Sequence, residues 1–341
     1  MHINKYFKDL NIEPIYEIDI REKCDFANKV ACCLVDTFQE YDLDYLRIVD
    51  LIQHTNMYIS KIPKKLSPVN YSYKDNSLYI SDETKFALNN NYLLHELIHI
   101  IQESKNKKDQ LIQLGLCEVL ETKIRGLALN EGAVQFVVQK MLSNDIKNAK
   151  IYDIEITTRS TDYYPIITSL IEQLTFLLGD DVLIDSTLNS NCNFKYLAID
   201  ELGENTFFSI QNNMDKILEL KNNMLNDKNR ENDLQYIDEI KRIYSLTQNM
   251  IFTSYFNKLM KKAKSIDELR NIRRRLRKFK LYICGENSES YYLDYYNQIE
   301  RMILEHQKKI VNKSLIVVKE NKIMRIFKKI KSYLSKFVFQ N

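Results

Sequence analysis

The most constraining feature of this sequence is an HExxH pentad, His95 to His99, set in an apolar run without Pro or Gly. Side chains four positions apart in an α-helix lie one above the other on the same face. Two histidines at this spacing can bind one divalent metal ion, and a glutamate beside the first can act on a water at that metal. The chain has only 5 histidines, so their pairing here predicts a metal site on a helix.

The flanking residues also favour a helix. Aliphatic residues recur at steps of three and four, which predicts an apolar face opposite the histidines: Leu94, Leu97, Ile98 and Ile101. The alternative is an ordinary amphipathic helix whose histidines face solvent or pair with carboxylates. Exposed histidines would not need this apolar setting, so we favour the metal site.

A tetrahedral catalytic zinc needs a third protein ligand and an open position. The pattern with a third histidine six residues after the second is excluded, because Lys105 stands there. The other histidines lie far along the chain, so we expect a carboxylate. Two glutamates compete for this role. Glu118 follows His99 with 18 residues between them, and Glu131 lies in the segment Leu129–Ala133, which reads LNEGA.

That segment resembles the Asn-Glu-Gly segment that carries the zinc-ligating glutamate in gluzincin-type metallopeptidases. Together with the pentad, the resemblance covers roughly residues 65–185. It implies one Zn²⁺ per chain, bound by His95, His99 and Glu131. It also implies that Glu96 is the general base in the hydrolysis of a peptide bond.

We favour Glu131 over Glu118, because the loop that joins the two helices can vary in length more freely than the residues directly around the ligand can vary in type. Gly132 would let the second helix approach the first closely, since glycine lacks a Cβ. Apart from a ligand role, Glu118 and Glu121 are expected on the surface of a charged helix.

Hydrolysis also requires a donor for the developing oxyanion. Gluzincin-like enzymes often supply a tyrosine or a histidine, and no further histidine is well placed here. Tyr164 is our candidate and Tyr163 the alternative, although an aromatic residue before a helix-starting proline often only packs. Upstream, the alternation in Tyr71–Ser81 predicts a β-hairpin ahead of the pentad. An edge strand in this position would suit an extended substrate.

The composition favours helices. With 6 Gly and 4 Pro in 341 residues, few turns are indicated. The expected fold class is α+β, mainly α: a zincin-like catalytic domain with a small sheet and an active-site helix, followed by a helical bundle. The scattered cysteines and the lack of an apolar leader or membrane span lead us to expect a cytoplasmic protein.

Charge is distributed unevenly along the chain. Residues 216–341 hold 28 Lys and Arg against 14 Asp and Glu, whereas residues 1–215 hold 21 against 32. This difference predicts a metallopeptidase domain over 1–215 and a basic helical accessory domain over 216–341.

Two basic stretches lie in the second half. Arg270–Lys278 could bind nucleic acid or an acidic partner, but an apolar stripe within it favours a bundle helix with a solvated basic face. Lys319–Phe339 alternates basic and apolar residues at helical spacing. It could lie on an anionic membrane surface or pack on the bundle, and the sequence leaves both open. Nucleic acid is not an expected partner.

The leading hypothesis is a zinc-dependent peptidase acting on a peptide or protein, with endopeptidase action slightly favoured. The competing hypothesis is a catalytically inactive zincin-scaffold binding protein. It would act through its basic helical half on a membrane surface, a protein partner or nucleic acid. The presence of Glu96 favours catalysis, since an inactive relative could lose the base and keep the metal ligands.

Overall fold

The structure is a computed structural model that describes residues 10–105, 111–120, 123–227, 229–284 and 290–338. The described chain is mainly helical with small sheets, as the composition predicted. It divides into two compact units, one formed by residues 1–254 with 282–287, the other by residues 255–281 with 288–341. None of the described helices is both long enough and apolar enough to cross a membrane.

A four-stranded sheet precedes the pentad helix, in the order β1-β2-β4-β3. The predicted hairpin is present, since β3 and β4 pair antiparallel with Tyr71 opposite Leu78. Strand β4 also pairs in parallel with β2, which leaves β3 at the edge of the described sheet. The strands are β1 Glu13–Glu17, β2 Asn56–Lys61, β3 Val69–Ser72 and β4 Ser77–Ser81.

The remaining strands form three two-stranded antiparallel pairs. Glu118 begins one of these strands, so the expectation of a charged helix there was wrong; Glu121 lies outside the described residues. The strands are β5 Glu103–Lys105, β6 Leu111–Leu114, β7 Glu118–Leu120, β8 Lys123–Arg125, β9 Lys147–Ile151 and β10 Ile154–Thr158.

Among the described residues, eight α-helices begin and end within the first unit. Among them, the pentad helix α3 and the helix α4 pack against each other, and α4 also packs on α5. The helices are α1 Ile20–Thr37, α2 Tyr45–His54, α3 Asn91–Gln102, α4 Leu127–Met141, α5 Pro165–Leu178, α6 Asp181–Leu188, α7 Asn193–Leu202 and α8 Glu204–Asn226.

Helix α3 is buried on more than one side. Its aliphatic face is buried as predicted, but His95 and His99 on the other face are buried too. The burial of both histidines argues against the alternative of an ordinary amphipathic helix whose histidines face solvent.

The second unit contains the end of α9 (Asp233–Lys262), then α10 (Ile266–Cys284) and α11 (Ser290–Val338). The sequence Ser265-Ile266-Asp267-Glu268 predicts a capping box at the start of α10, and the structure has it. Ser265 N donates to Glu268 Oε2 at 3.1 Å, and Glu268 N donates to Ser265 Oγ at 3.2 Å. The apolar stripe of α10 is buried and its neighbouring arginines are mostly exposed, as for a bundle helix with a solvated basic face. The buried stripe comprises Leu269, Ile272, Leu276 and Phe279.

The charge-based boundary at residue 215 stays a prediction about functional modules. In the structure residue 215 lies within the continuous helix α8, and the compact units divide at Ser254.

Candidate metal centre

Three side chains from α3 and α4 converge in the interior of the first unit. His95 Nε2 lies 3.1 Å from His99 Nε2 and 3.0 Å from Glu131 Oε2, and His99 Nε2 lies 3.5 Å from Glu131 Oε1. Both histidines are buried and Glu131 is nearly so. Among the described residues, this is the one cluster of three such side chains able to hold a metal ion.

The donor set fits a zinc ion. Zinc bonds of about 2.0–2.1 Å to nitrogen and oxygen place tetrahedral ligands about 3.3 Å apart, close to the three spacings above. Two imidazoles and one carboxylate are ligands that zinc prefers, and three protein ligands leave a fourth position open. His95, His99 and Glu131 are therefore the residues that could hold the ion.

The tautomer of His95 is set by Gln135, one turn after Glu131 on α4. Gln135 Nε2 donates to Asn91 Oδ1 at 2.9 Å and to Ser160 Oγ at 2.8 Å, which leaves Gln135 Oε1 as an acceptor. His95 Nδ1 lies 3.0 Å from that oxygen and so carries the proton. The lone pair of His95 Nε2 then points towards His99 Nε2 and the Glu131 carboxylate. Metal-ligating histidines usually show this arrangement.

The charges of the cluster are strongly coupled. Burial lowers the pKa of His95. Burial alone would also lower that of His99, but the Glu131 charge outweighs it and raises the pKa to about 9. Burial would raise the pKa of Glu131, yet the two histidines hold it well below its usual range. The cluster thus keeps Glu131 as a carboxylate, which is the form that binds a cation.

Glu96 lies beside this cluster and faces the edge strand. Tyr71 N, on β3, donates to Glu96 Oε2 at 3.2 Å. Burial raises the pKa of Glu96 to about 8, and His99 opposes this shift. Bound positive charge nearby lowers a carboxyl pKa, which would return Glu96 to a form that accepts a proton near neutral pH.

Both candidate tyrosines pack on His95. The ring centroids of Tyr163 and Tyr164 lie 4.7 Å and 5.6 Å from that of His95. Tyr164 precedes α5 in a left-handed conformation, with φ 49° and ψ 40°. A residue with a side chain adopts this conformation at a cost of about 1–2 kcal/mol, which tertiary contacts must offset. Burial, followed by the negative charges of the cluster, raises the pKa of both phenols, so both keep their protons.

Lys221 of α8 completes the surroundings of Tyr164. Its Nζ lies 4.8 Å from the centroid of the Tyr164 ring, a cation–π contact. Burial lowers the pKa of Lys221, and Glu131 acts in the opposite direction. A positive charge beside the ring favours hydrogen-bond donation by the phenol.

Helix α4 is held in place from its N-terminus. Asp215 Oδ2 accepts from Gly126 N at 2.9 Å, and Asp215 Oδ1 accepts from Ala128 N at 2.8 Å. A carboxylate at this end also complements the helix dipole. Helix α8 therefore contributes both the cap on the Glu131 helix and the lysine near Tyr164.

Glu118 is not part of the cluster. Its side chain pairs with Lys195 of α7. The expected role of Gly132 also needs correction, because its missing Cβ does not face α3. A Cβ there would lie 2.7 Å from side-chain atoms of Ile167 and of Ile171 on α5. The glycine thus permits close packing of α4 on α5.

Sequence reasoning missed several neighbours of the cluster. Gln135 could have been found, since it lies four residues after Glu131 and so shares its helix face. Tyr71, Asp215 and Lys221 carry no local signal, because they come from distant parts of the chain. No family model, curated protein or solved structure significantly matches this sequence.

Proposed function

We propose that this protein is a zinc-dependent peptidase of the gluzincin type, with a zincin-like catalytic domain. His95, His99 and Glu131 would hold one Zn²⁺, and Glu96 would act as general base. The observation that carries the proposal is that the side chains of His95, His99 and Glu131 converge at the spacing of zinc ligands. Glu96 lies beside them, on the same helix as the two histidines.

The residues around the cluster suit hydrolysis. A bound zinc ion would supply Lewis acidity, which polarises a carbonyl group and makes a water molecule more acidic. Glu96 would accept the proton from that water and pass it to the leaving amine. The amide of Tyr71 orients the Glu96 carboxylate from the side of the sheet edge.

The phenol of Tyr164 would donate a hydrogen bond to the developing oxyanion, with Tyr163 as the alternative donor. Both rings already contact His95, so both tyrosines lie beside the proposed zinc ligands. Strand β3 would pair with an extended peptide, because it lies at the edge of the described sheet and faces Glu96. This arrangement favours cleavage within a chain.

Metal content is the first test. After dialysis against metal-free buffer, elemental analysis should find about one zinc per chain. Glu131→Ala should lose it, and Glu118→Ala is the matched control that should keep it. A protein that takes up no zinc after reconstitution would refute the site.

Activity is the second test, using a mixture of unstructured peptides with mass spectrometry as the readout. The wild-type chain should cleave internal bonds. Glu96→Gln should retain zinc and lose about 10²–10⁴-fold in rate. Zinc binding without hydrolysis in the wild-type chain would favour the inactive-scaffold alternative, and full activity of Glu96→Gln would refute the assigned base.

A further inference from the structure

Helix α11 carries a long segment whose described side chains are exposed. Ile299 and Ile303, near its start, are buried. From residue 311 to residue 330, by contrast, each side chain that the structure describes is exposed. Many of these exposed side chains are large and apolar: Val311, Leu315, Ile316, Val318, Ile323, Met324, Ile326, Phe327 and Ile330.

The exposed residues are sorted into two faces near the end of this segment. At 100° per residue, four apolar side chains fall within an arc of about 100°. These are Ile323, Ile326, Phe327 and Ile330. The opposite side of the helix carries Lys322, Arg325, Lys328 and Lys329. Phe327 is the most exposed of the apolar group, at 67%.

Helix α10, which precedes α11 in the chain, also combines basic and apolar residues at helical spacing, but its apolar face is covered. It has a similar combination of arginines and an apolar stripe, yet Leu269, Leu276 and Phe279 in that stripe are fully buried. In α11 the corresponding apolar face lies in solvent. An exposed apolar face that no other element covers marks an interaction surface.

We propose that the end of this exposed segment, residues 322–330 of α11, binds the surface of an anionic lipid bilayer as an interfacial helix. The apolar face would enter the boundary between headgroups and acyl chains, and the basic face would contact anionic headgroups. Charge decides between this partner and a second copy of the chain. Residues 322–330 hold four Lys and Arg and no acid, and the exposed segment 311–330 as a whole holds six against the single acid Glu320. Two copies would therefore repel one another, while an anionic surface attracts each basic residue.

This inference concerns a different surface from the metal centre and does not depend on peptidase activity. The helix lies in the second compact unit, whereas the proposed metal ligands lie in the first. Vesicle binding can therefore be measured with the full chain, with or without zinc.

The test is co-sedimentation of the full chain with vesicles of phosphatidylcholine alone or mixed with phosphatidylserine. We expect binding to the mixed vesicles, and this binding should weaken as salt is added, because salt screens surface charge. Lys328→Gln with Lys329→Gln should weaken it by about 30-fold, taking about fivefold per charge. Phe327→Gln with Ile330→Gln should weaken it by at least about tenfold.

The controls change two exposed lysines and two exposed large apolar side chains elsewhere on the surface. Lys64→Gln with Lys65→Gln and Leu46→Gln with Leu234→Gln alter exposed side chains and should leave vesicle binding unchanged. All four double variants replace exposed residues, so circular dichroism should show wild-type helix content.

Two results would overturn the proposal. The first is failure of the wild-type chain to bind the mixed vesicles, or binding that the α11 variants leave unchanged. The second is self-association in analytical ultracentrifugation that Phe327→Gln with Ile330→Gln abolishes, without vesicle binding. That outcome would assign the face to a second copy of the chain.

Discussion

Gln102 and Asn130 form a reciprocal amide pair that connects the two helices of the candidate metal centre. Gln102 Nε2 donates to Asn130 Oδ1 and Asn130 Nδ2 donates to Gln102 Oε1, each at 3.2 Å. Gln102 lies one turn after His99, and Asn130 directly precedes Glu131. Both amide side chains are fully buried. The pair thus fixes the register of the two helices at which His99 and Glu131 meet.

Breaking this pair should weaken both the fold and metal binding. Asn130→Leu leaves the Gln102 carbonyl oxygen without its amide donor, so we expect a loss of about 1–3 kcal/mol in the free energy of unfolding. Zinc affinity should fall as the helices lose their register. Denaturant unfolding and a zinc titration against a competing chelator measure the two effects.

The double variant Gln102→Leu/Asn130→Leu provides the control for coupling. Removing both partners leaves fewer unsatisfied groups, so the double variant should be less destabilised than the sum of the single variants. Strict additivity would contradict a role for the pair as a unit.

Gln135→Leu should lower zinc affinity while keeping all three proposed ligands. The substitution removes the acceptor that fixes the tautomer of His95, and loss of such outer partners typically costs about 10–100-fold in affinity. Gln139→Leu is a matched control, because Gln139 is a buried amide on the same helix that bonds Asn91 and not His95. Equal loss in the two variants would assign the effect to general disruption of α4.

Tyr164→Phe should slow peptide hydrolysis by about 10²–10³-fold with little change in KM, because it removes one oxyanion donor. The ring and its packing on His95 are retained, so zinc content should not change. Tyr163→Phe should lose less than about tenfold. If Tyr163→Phe loses more activity than Tyr164→Phe, Tyr163 is the oxyanion donor. If both variants hydrolyse peptides at the wild-type rate, neither tyrosine is the donor.

Gly132→Ala should destabilise the first unit by up to about 2 kcal/mol. Alanine is the better helix former by about 1 kcal/mol. Its Cβ would, however, lie 2.7 Å from side-chain atoms of Ile167 and Ile171, and overpacking of this kind costs about 1–3 kcal/mol. Thermal unfolding measures the difference, and a raised melting temperature would show that α5 yields without strain.

Glu172 should make the stability of the first unit depend on pH. Burial raises its pKa from the ordinary 4.5 to about 7, and Arg159 opposes that shift without reversing it. Since the folded state holds the proton more tightly than the unfolded state, this group makes the protein less stable as pH rises from about 4.5 to about 7. The loss is at most about 3 kcal/mol.

The variant Glu172→Gln should remove this pH-dependent loss, so the stability difference between pH 5 and pH 8 becomes smaller. The control is Glu155→Gln, an exposed glutamate on β10 that should leave the pH profile unchanged. A Glu172→Gln variant with the wild-type profile would contradict the assignment.

The sequence by itself determined the features that depend on local spacing. His95 and His99 share a helix face because they are four residues apart, and the capping box of α10 needs only Ser265 and Glu268. The hairpin of β3 and β4 also followed from alternation around a short turn. Each of these involves residues close together in the chain, so the backbone period alone sets their geometry.

Tertiary structure decided the features that involve distant residues. It brought Glu131 and not Glu118 to the histidines, and it turned the missing Cβ of Gly132 towards α5. It also placed Asp215 of α8 at the start of α4 and Lys221 of α8 over the ring of Tyr164. It also buried the apolar stripe of α10 while leaving that of α11 in solvent, although the two sequences look alike. Periodicity tells which side of a helix is apolar, but only the packing of the whole chain determines whether another element covers that side.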